Sequence, residues 1–351
     1  MSHSFDKGSN PDTQFAIMHR DVLHIYVWSG HAVFAFFVIS GFYISMVVDQ
    51  KYARVDGGVS KFYLNRGLRL FPANWVFLAG FAVYYYASGM PSFLQIDPPA
   101  DADWWARPAA IFANLFFLGT EAIPFFNRAN WPYIINAPAW SLSVEICFYL
   151  LAPFIVGRSL RALLVLTAGA LAFRLALAFA GLEAVPWRYF FFPSDFVFFL
   201  MGSLSYRLHR WVKPQPWART IAPLAVVAMF GFVFVRGLWT FPGHDHPVAW
   251  LFYLTVALCT PFVFLLTKDS AIDNFIGQLA YPIYLGQMLA YSVVRFYYVG
   301  PIDETTVAFG FLVVMSVAIY LVVDKPIEKL RHRIAQTRCA PTGAVASPSA
   351  A

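Results

Sequence analysis

Charge is what this sequence has least of. Asp, Glu, Lys and Arg make up 13% of its 351 residues, where soluble domains carry about a quarter. With 59% of the chain hydrophobic, a water-soluble fold of this length is excluded, because it could not hide so much apolar surface. Cysteine is scarce too. Cys147, Cys259 and Cys339 form neither a disulfide framework nor a metal-ligand spacing, and the first two, inside apolar runs, read as packing residues. His244-Asp-His246 supplies two metal ligands without a third and reads as a solvated outward loop. No cleavable signal peptide is visible, since Met1 to Thr13 is polar and no small-residue cleavage pattern follows. Internal repeats and composition shifts are missing as well. That argues for one membrane domain, residues 26–333, between a polar segment, 1–25, and a Ser-, Ala- and Pro-rich tail, 334–351, expected to be disordered and cytoplasmic. It also counts against a transporter or flippase, which would show repeats and broken helices in matching halves.

What the sequence does hold is apolar runs close to the roughly 20 residues that a helix needs to cross a bilayer. Lipid offers the backbone no partner, so each such run is expected to be a helix. Runs bounded by charge, Pro or Gly place spans near 26–48, 70–89, 140–157, 162–181, 190–206, 220–237, 248–266, 278–296 and 306–323. The expected fold is therefore all-α, a polytopic transmembrane helix bundle of about nine spans. Pro108 to Phe126 is apolar but broken by Glu121 and Pro124, and reads as a re-entrant or interfacial helix. Trp104, Trp105, Trp131, Trp187 and Trp239 fall near outer boundaries, where aromatic belts sit.

The net charge of +6 gathers at the ends of apolar runs rather than on one polar face, which is a footprint of membrane orientation and not of nucleic-acid binding. One side of the layout holds Lys7, Arg20, Arg107, Arg128, Arg188, Arg236 and Arg295, and Arg174 stays inside a span. The other 17 of the 25 Lys and Arg lie on the opposite side. Positive charge collects on the cytoplasmic side, so the carboxyl terminus is placed inside and the amino terminus outside, in the cell (plasma or inner) membrane.

Ionisable groups at or within spans are the default functional candidates. In Phe62-Tyr-Leu-Asn-Arg-Gly-Leu-Arg-Leu-Phe-Pro-Ala-Asn-Trp75, Arg66 and Arg69 are three apart and project from one side of a helix. Two guanidinium forks at a membrane edge suit a phosphate-rich ligand, while anchoring to lipid headgroups is the plainer alternative. Asn136-Ala-Pro-Ala-Trp-Ser-Leu-Ser-Val-Glu-Ile-Cys-Phe-Tyr149 sets Glu145 one turn into a span with Ser141 one turn above it, and a carboxyl there must be protonated, paired or wet. Pairing with an arginine such as Arg174 would make it structural. Ala280-Tyr-Pro-Ile-Tyr-Leu-Gly-Gln287 puts tyrosines and a Gln in a span, where they can bond neighbouring helices. Asp324-Lys-Pro-Ile-Glu-Lys-Leu-Arg331 reads as a charged cap on the last span.

Five segments in order, Phe37-Val-Ile-Ser-Gly-Phe42, the Arg66 and Arg69 pair ending at Pro72, Trp140-Ser-Leu-Ser-Val-Glu145, Tyr284-Leu-Gly-Gln287 and Asp324-Lys-Pro-Ile-Glu328, resemble the acyltransferase 3 family of membrane acyltransferases, over residues 30 to 333. The resemblance implies transfer of an acyl group, often acetyl, from cytoplasmic acyl-CoA to a hydroxyl of a glycan or other cell-surface or small-molecule acceptor, with acyl-CoA as co-substrate and no metal. Arg66 and Arg69 match the family's paired arginines, which fits a hold on coenzyme A phosphates. Glu145 matches the acid of its Trp-Ser-Leu-Ser-Val-Glu motif, and Ser141, Ser143, Tyr284 and Gln287 are expected along the substrate path.

Two departures accompany it. Members usually begin with a helix bearing an Arg and a His that serves as base, whereas here the second-helix motif, Phe37 to Phe42, lies in the first clear span. The family's first helix is therefore expected to be lacking, which keeps a catalytically inactive relative open. Acyl transfer needs a base near the acceptor hydroxyl, usually His. His19 is the leading candidate, with His24 and His31 as alternatives. Gln287 stands where many relatives carry a His, and it cannot exchange a proton at neutral pH.

Overall fold

The computed structural model describes residues 29–53, 55–89, 106–122, 125, 134–136, 138–182, 186–234 and 245–336, and every regular element among them is a helix. Helix α1 (Ser29–Val47) runs into a π turn, Val48–Tyr52. There follow α2 (Gly58–Ser88), α3 (Ala106–Phe116), α4 (Ala139–Ile155), α5 (Leu160–Phe179), α6 (Phe192–Val212), α7 (Ala218–Phe234), α8 (Pro247–Thr267), α9 (Ala271–Tyr297) and α10 (Glu304–Ile319). A second π turn, Tyr320–Asp324, joins α10 to α11 (Lys325–Gln336). Local chemistry sets several starts. The side chains of Ser159, Ser270 and Asp303 accept backbone N–H groups at the first turns of α5, α9 and α10, satisfying donors that a helix leaves orphaned. His246 does the same for α8, which opens with Pro247.

Among the described residues, length and apolar character alone qualify four stretches to cross a bilayer: Gly30–Tyr52, Leu160–Phe179, Pro247–Thr267 and Glu304–Arg331. The expected nine are thus only partly met by this criterion. Helices α4 and α7 are apolar but shorter. By contrast, α2, α6 and α9 have the length but carry the polar residues of the bundle interior, among them Asn74, Asp195 and Tyr281. The stretch read as re-entrant or interfacial folds as α3, whose 11 residues are too few to span. It ends where Phe117 takes a left-handed φ of 63°, its side chain buried and its carbonyl bonded by Thr120 Oγ1 at 2.6 Å.

Helices α1 and α6 form the centre, and they touch backbone to backbone. A Cβ on Gly41 would collide with the Phe199 carbonyl, and one on Gly202 with that of Val38. Small residues at a crossing are how membrane helices gain close packing. Beside them Phe37 of α1 stacks on Phe199 at 4.7 Å, and Phe199 on Phe148 of α4 at 4.6 Å. Outer helices look different. Only 17% of the apolar windows of α5 and α10 is buried, against 61% for α1, and Phe179 is 91% exposed. Apolar surface on this scale belongs against lipid.

Two ends can be told apart. At one, α1 and α6 finish together: the Tyr206 hydroxyl donates to Asp49 at 2.7 Å and Arg210 pairs with Asp49 at 3.3 Å. Arg207 there donates to the carbonyls of Val156 and Arg158, both at 2.7 Å, beyond the end of α4. Opposite, the starts of α1, α6 and α8 meet the last turns of α5 around Arg174.

Candidate active site

Arg66 and Arg69 sit in the third and fourth turns of α2, near the end where α1 and α6 finish. The Arg66 guanidinium lies over the rings of Phe62 (5.6 Å) and Tyr149 (5.9 Å), a placement that favours the cation. Its Nε is buried without a hydrogen-bond partner. Tyr149 is one turn beyond Glu145 on α4. Glu145, 4% exposed, accepts a hydrogen bond from Ser40 of α1. Arg66, Tyr149, Glu145 and Ser40 therefore follow one another from the arginines into the bundle.

Arg69 lines a cleft with Gln278 and Tyr281 of α9 and with Asp324, Glu328 and Arg331 at the end of the chain's last long helical stretch. Tyr281 donates to the Leu70 carbonyl, fastening α9 to α2. Asn65 Oδ1 accepts twice from Arg331, at 3.1 Å from Nε and 2.9 Å from Nη2. Among the described residues none of the ion pairs within 4 Å involves Arg66, Arg69 or Arg331. Like charges held close together in a partly buried place repel, so an anion arriving there would be stabilised by guanidinium groups already in position.

The other expected residues divide. Tyr284 comes within 2.6 Å of Ser141 Oγ and donates to the Pro138 carbonyl at 3.0 Å, so these two path residues do meet. Ser143 does not join them. It donates to Glu121, which also accepts from the Gly119 N–H at 3.1 Å, on a different side of α4. Gln287 is half-buried on α9. His19 and His24 lie outside the described residues. His31 is buried at the opposite end, its Nδ1 2.7 Å from the Tyr253 hydroxyl.

Two alternatives from the sequence are corrected there. Arg174 does not pair with Glu145. Its Nη1 meets Asp195 at 2.9 Å and its Nε meets Asp245 at 2.7 Å, with both Arg174 and Asp195 fully buried. Asp245 also pairs with Arg188 at 2.6 Å, so Asp245, read as part of a solvated loop, is instead drawn into the bundle, while His244 lies outside the described residues. The chain folds Asp245 back because two buried guanidiniums need a counter-charge. Phe34 and Phe198 face the Arg174 guanidinium at 5.1 and 5.0 Å.

Ser40, Asn65, Tyr149 and Arg331 are site residues that sequence reasoning did not single out, whereas Tyr281 bonds a neighbouring helix as its segment suggested. The spacing of Tyr149, four residues past Glu145 on one helix face, was the available signal. Asn65 and Arg331 are 266 positions apart, and no local pattern joins them.

By architecture and site, this is a helical membrane protein with, at one end of its bundle, an arginine cluster that makes no ion pair within 4 Å among the described residues. Residues 1–324 match an acyltransferase domain, Acyl_transf_3, and the chain belongs to the acyltransferase 3 family. That makes acyl transfer its class of reaction. Comparison with curated proteins and with solved structures gives no match.

Proposed function

We propose that the protein is an acyl-CoA-dependent O-acyltransferase that moves an acyl group, acetyl in the first instance, to a hydroxyl of a glycan or other cell-surface or small-molecule acceptor. The observation that carries this reading is the Arg66 and Arg69 pair, without a carboxylate partner within 4 Å among the described residues and adjoining the Tyr149, Glu145 and Ser40 path. Coenzyme A carries a diphosphate and a further phosphate ester, and Arg binds such groups with paired, charge-assisted hydrogen bonds.

In this reading the chain lies in the cell membrane with nine crossings, amino terminus outside and carboxyl terminus in the cytoplasm, so the arginine cluster faces the cytoplasmic pool of acyl-CoA. The gathering of Arg207 and Arg210 at the same end as the close of α1 and α6 supports that orientation. The acceptor oxygen forms a bond to the thioester carbonyl carbon, the carbon–sulfur bond breaks, and the hydroxyl proton passes through a base to the departing coenzyme A sulfur. His19 is the proposed base. Glu145, with a hydrogen bond from Ser40 of α1, would hold or pass a proton along the path, and Ser141 with Tyr284 would orient the acceptor side.

The test uses purified full-length protein with acetyl-CoA and a mixture of glycan acceptors, following release of free thiol. Thiol release that depends on acceptor and is lost in Arg69→Ala is the expected result. Intact thioester at every acceptor tried, in protein that remains folded, would overturn the proposal.

A further inference from the structure

We infer that Arg331, oriented by Asn65, is a third phosphate-binding residue that works with Arg69 on the phosphate groups of the acyl carrier. The inference rests on the donor reading above and adds to it a residue from beyond the matched acyltransferase domain, which ends at residue 324.

The argument begins with how Arg331 is held. Its Nε and Nη2 both donate to the Oδ1 of Asn65, a side chain only 6% exposed, so one edge of the guanidinium is fixed to a rigid post on α2. The acceptor is an amide and not a carboxylate. An Asp at this position would orient the fork equally well and also cancel its charge, whereas Asn orients it and leaves the charge intact. The remaining N–H donors of Arg331 have no protein partner among the described residues. Asn65 is the residue immediately before Arg66, so the post is part of the helical turn that carries the arginine pair. Arg331 then lines the same cleft as Arg69 and Tyr281.

Asp324 and Glu328 line this cleft as well, and Glu328 accepts from Gln278 at 3.4 Å. Neither forms an ion pair with Arg69 or Arg331 within 4 Å. Arg69 and Arg331 line the cleft together with these two carboxylates, while Arg66 lies on α2 outside the lining, and the N–H donors of Arg331 that Asn65 does not use are those a phosphate ester would engage. Lipid headgroup phosphate shares this chemistry, so the experiment must separate the two sources.

Full-length protein in nanodiscs of zwitterionic phosphatidylcholine is titrated with coenzyme A by calorimetry, and melting temperature is recorded for every variant. Arg331→Gln is expected to weaken binding about tenfold or more without lowering the melting temperature, as loss of a charge-assisted pair implies. Arg331→Lys, which keeps charge but loses the fork, is expected to fall between, and Asn65→Ala to weaken binding about threefold by releasing the guanidinium. Lys268→Gln, at a lysine paired with its neighbour Asp269, is expected to bind as the wild type does. Wild-type binding with Arg331→Gln, Arg331→Lys and Asn65→Ala all unchanged overturns the inference and leaves the donor reading standing. No coenzyme A binding by the wild type overturns both. In nanodiscs rich in phosphatidylglycerol, loss of coenzyme A binding by the wild type but not by Arg331→Gln would assign the corner to lipid headgroups and overturn the inference.

Discussion

Arg174 and Arg69 stand at opposite ends of one bundle in opposite circumstances. Around Arg174 every donor is used: Asp195, Asp245, Ser194 and the Arg188 carbonyl together accept from Nε, Nη1 and Nη2 at 2.7 to 3.3 Å. Around Arg69 the nearest elements bring another arginine on each side, Arg66 and Arg331, and no ion-paired carboxylate among the described residues. A buried charge that is fully paired inside the protein ties helices together and has nothing left to give a ligand. The half-open cluster keeps its binding capacity unspent, at the cost of mutual repulsion that a phosphate-bearing partner would relieve.

That contrast can be broken most severely at Arg174. Arg174→Ala strands the buried Asp195 and leaves Asp245 with Arg188 alone, and it is expected to cost about 3–5 kcal/mol, read as loss of monodisperse protein or a large drop in melting temperature. Next comes the helix crossing that separates the two ends. Gly202→Val forces α1 away from α6 and is expected to destabilise by about 1–3 kcal/mol, measured by thermal unfolding in detergent.

Substitutions near the open cluster should instead touch function and spare the fold. Glu145→Gln keeps the size of the side chain and can still accept from Ser40, so its melting temperature should hold while kcat falls about 100-fold, the range of general acid–base contributions. A purely structural Glu145 would leave kcat unmoved. Arg69→Ala is expected to lower kcat/KM for the thioester donor about tenfold or more, equal to the about 1.4 kcal/mol of a charge-assisted contact, again with little change in stability. The smallest effect belongs to Arg210, whose pair with Asp49 is half exposed. Arg210→Gln should shift stability by less than about 1 kcal/mol and leave donor kinetics as they were.

Helical, membrane-embedded architecture and the Arg66 and Arg69 pair could be read from the chain because both depend on local pattern, apolar run length and a three-residue spacing. Partners could not. Asp245 looked solvated in sequence, since nothing in a loop's composition says that it folds back onto a buried arginine in α5. Arg331 looked like a charged membrane cap, and only the return of α11 to α2 sets it against Asn65. Ser143 was expected on one path with Ser141. Yet residues two apart on a helix do not share a face, and the structure turns one toward Tyr284 and the other toward Glu121. Span number was legible only where the helix is apolar throughout. Helices α2, α6 and α9, which contribute the interior's polar groups, dilute the signal that a run-length criterion needs.

The central claim is that the cluster around Arg69 is built for an anionic carrier while that around Arg174 is not. Its most direct measurement is calorimetric titration of coenzyme A into full-length protein in phosphatidylcholine nanodiscs, wild type beside the double variant Arg66→Ala and Arg69→Ala. Saturable binding by the wild type that disappears in a folded double variant is the predicted result. Absence of saturable binding in the wild type, or equal binding by both, would contradict the account.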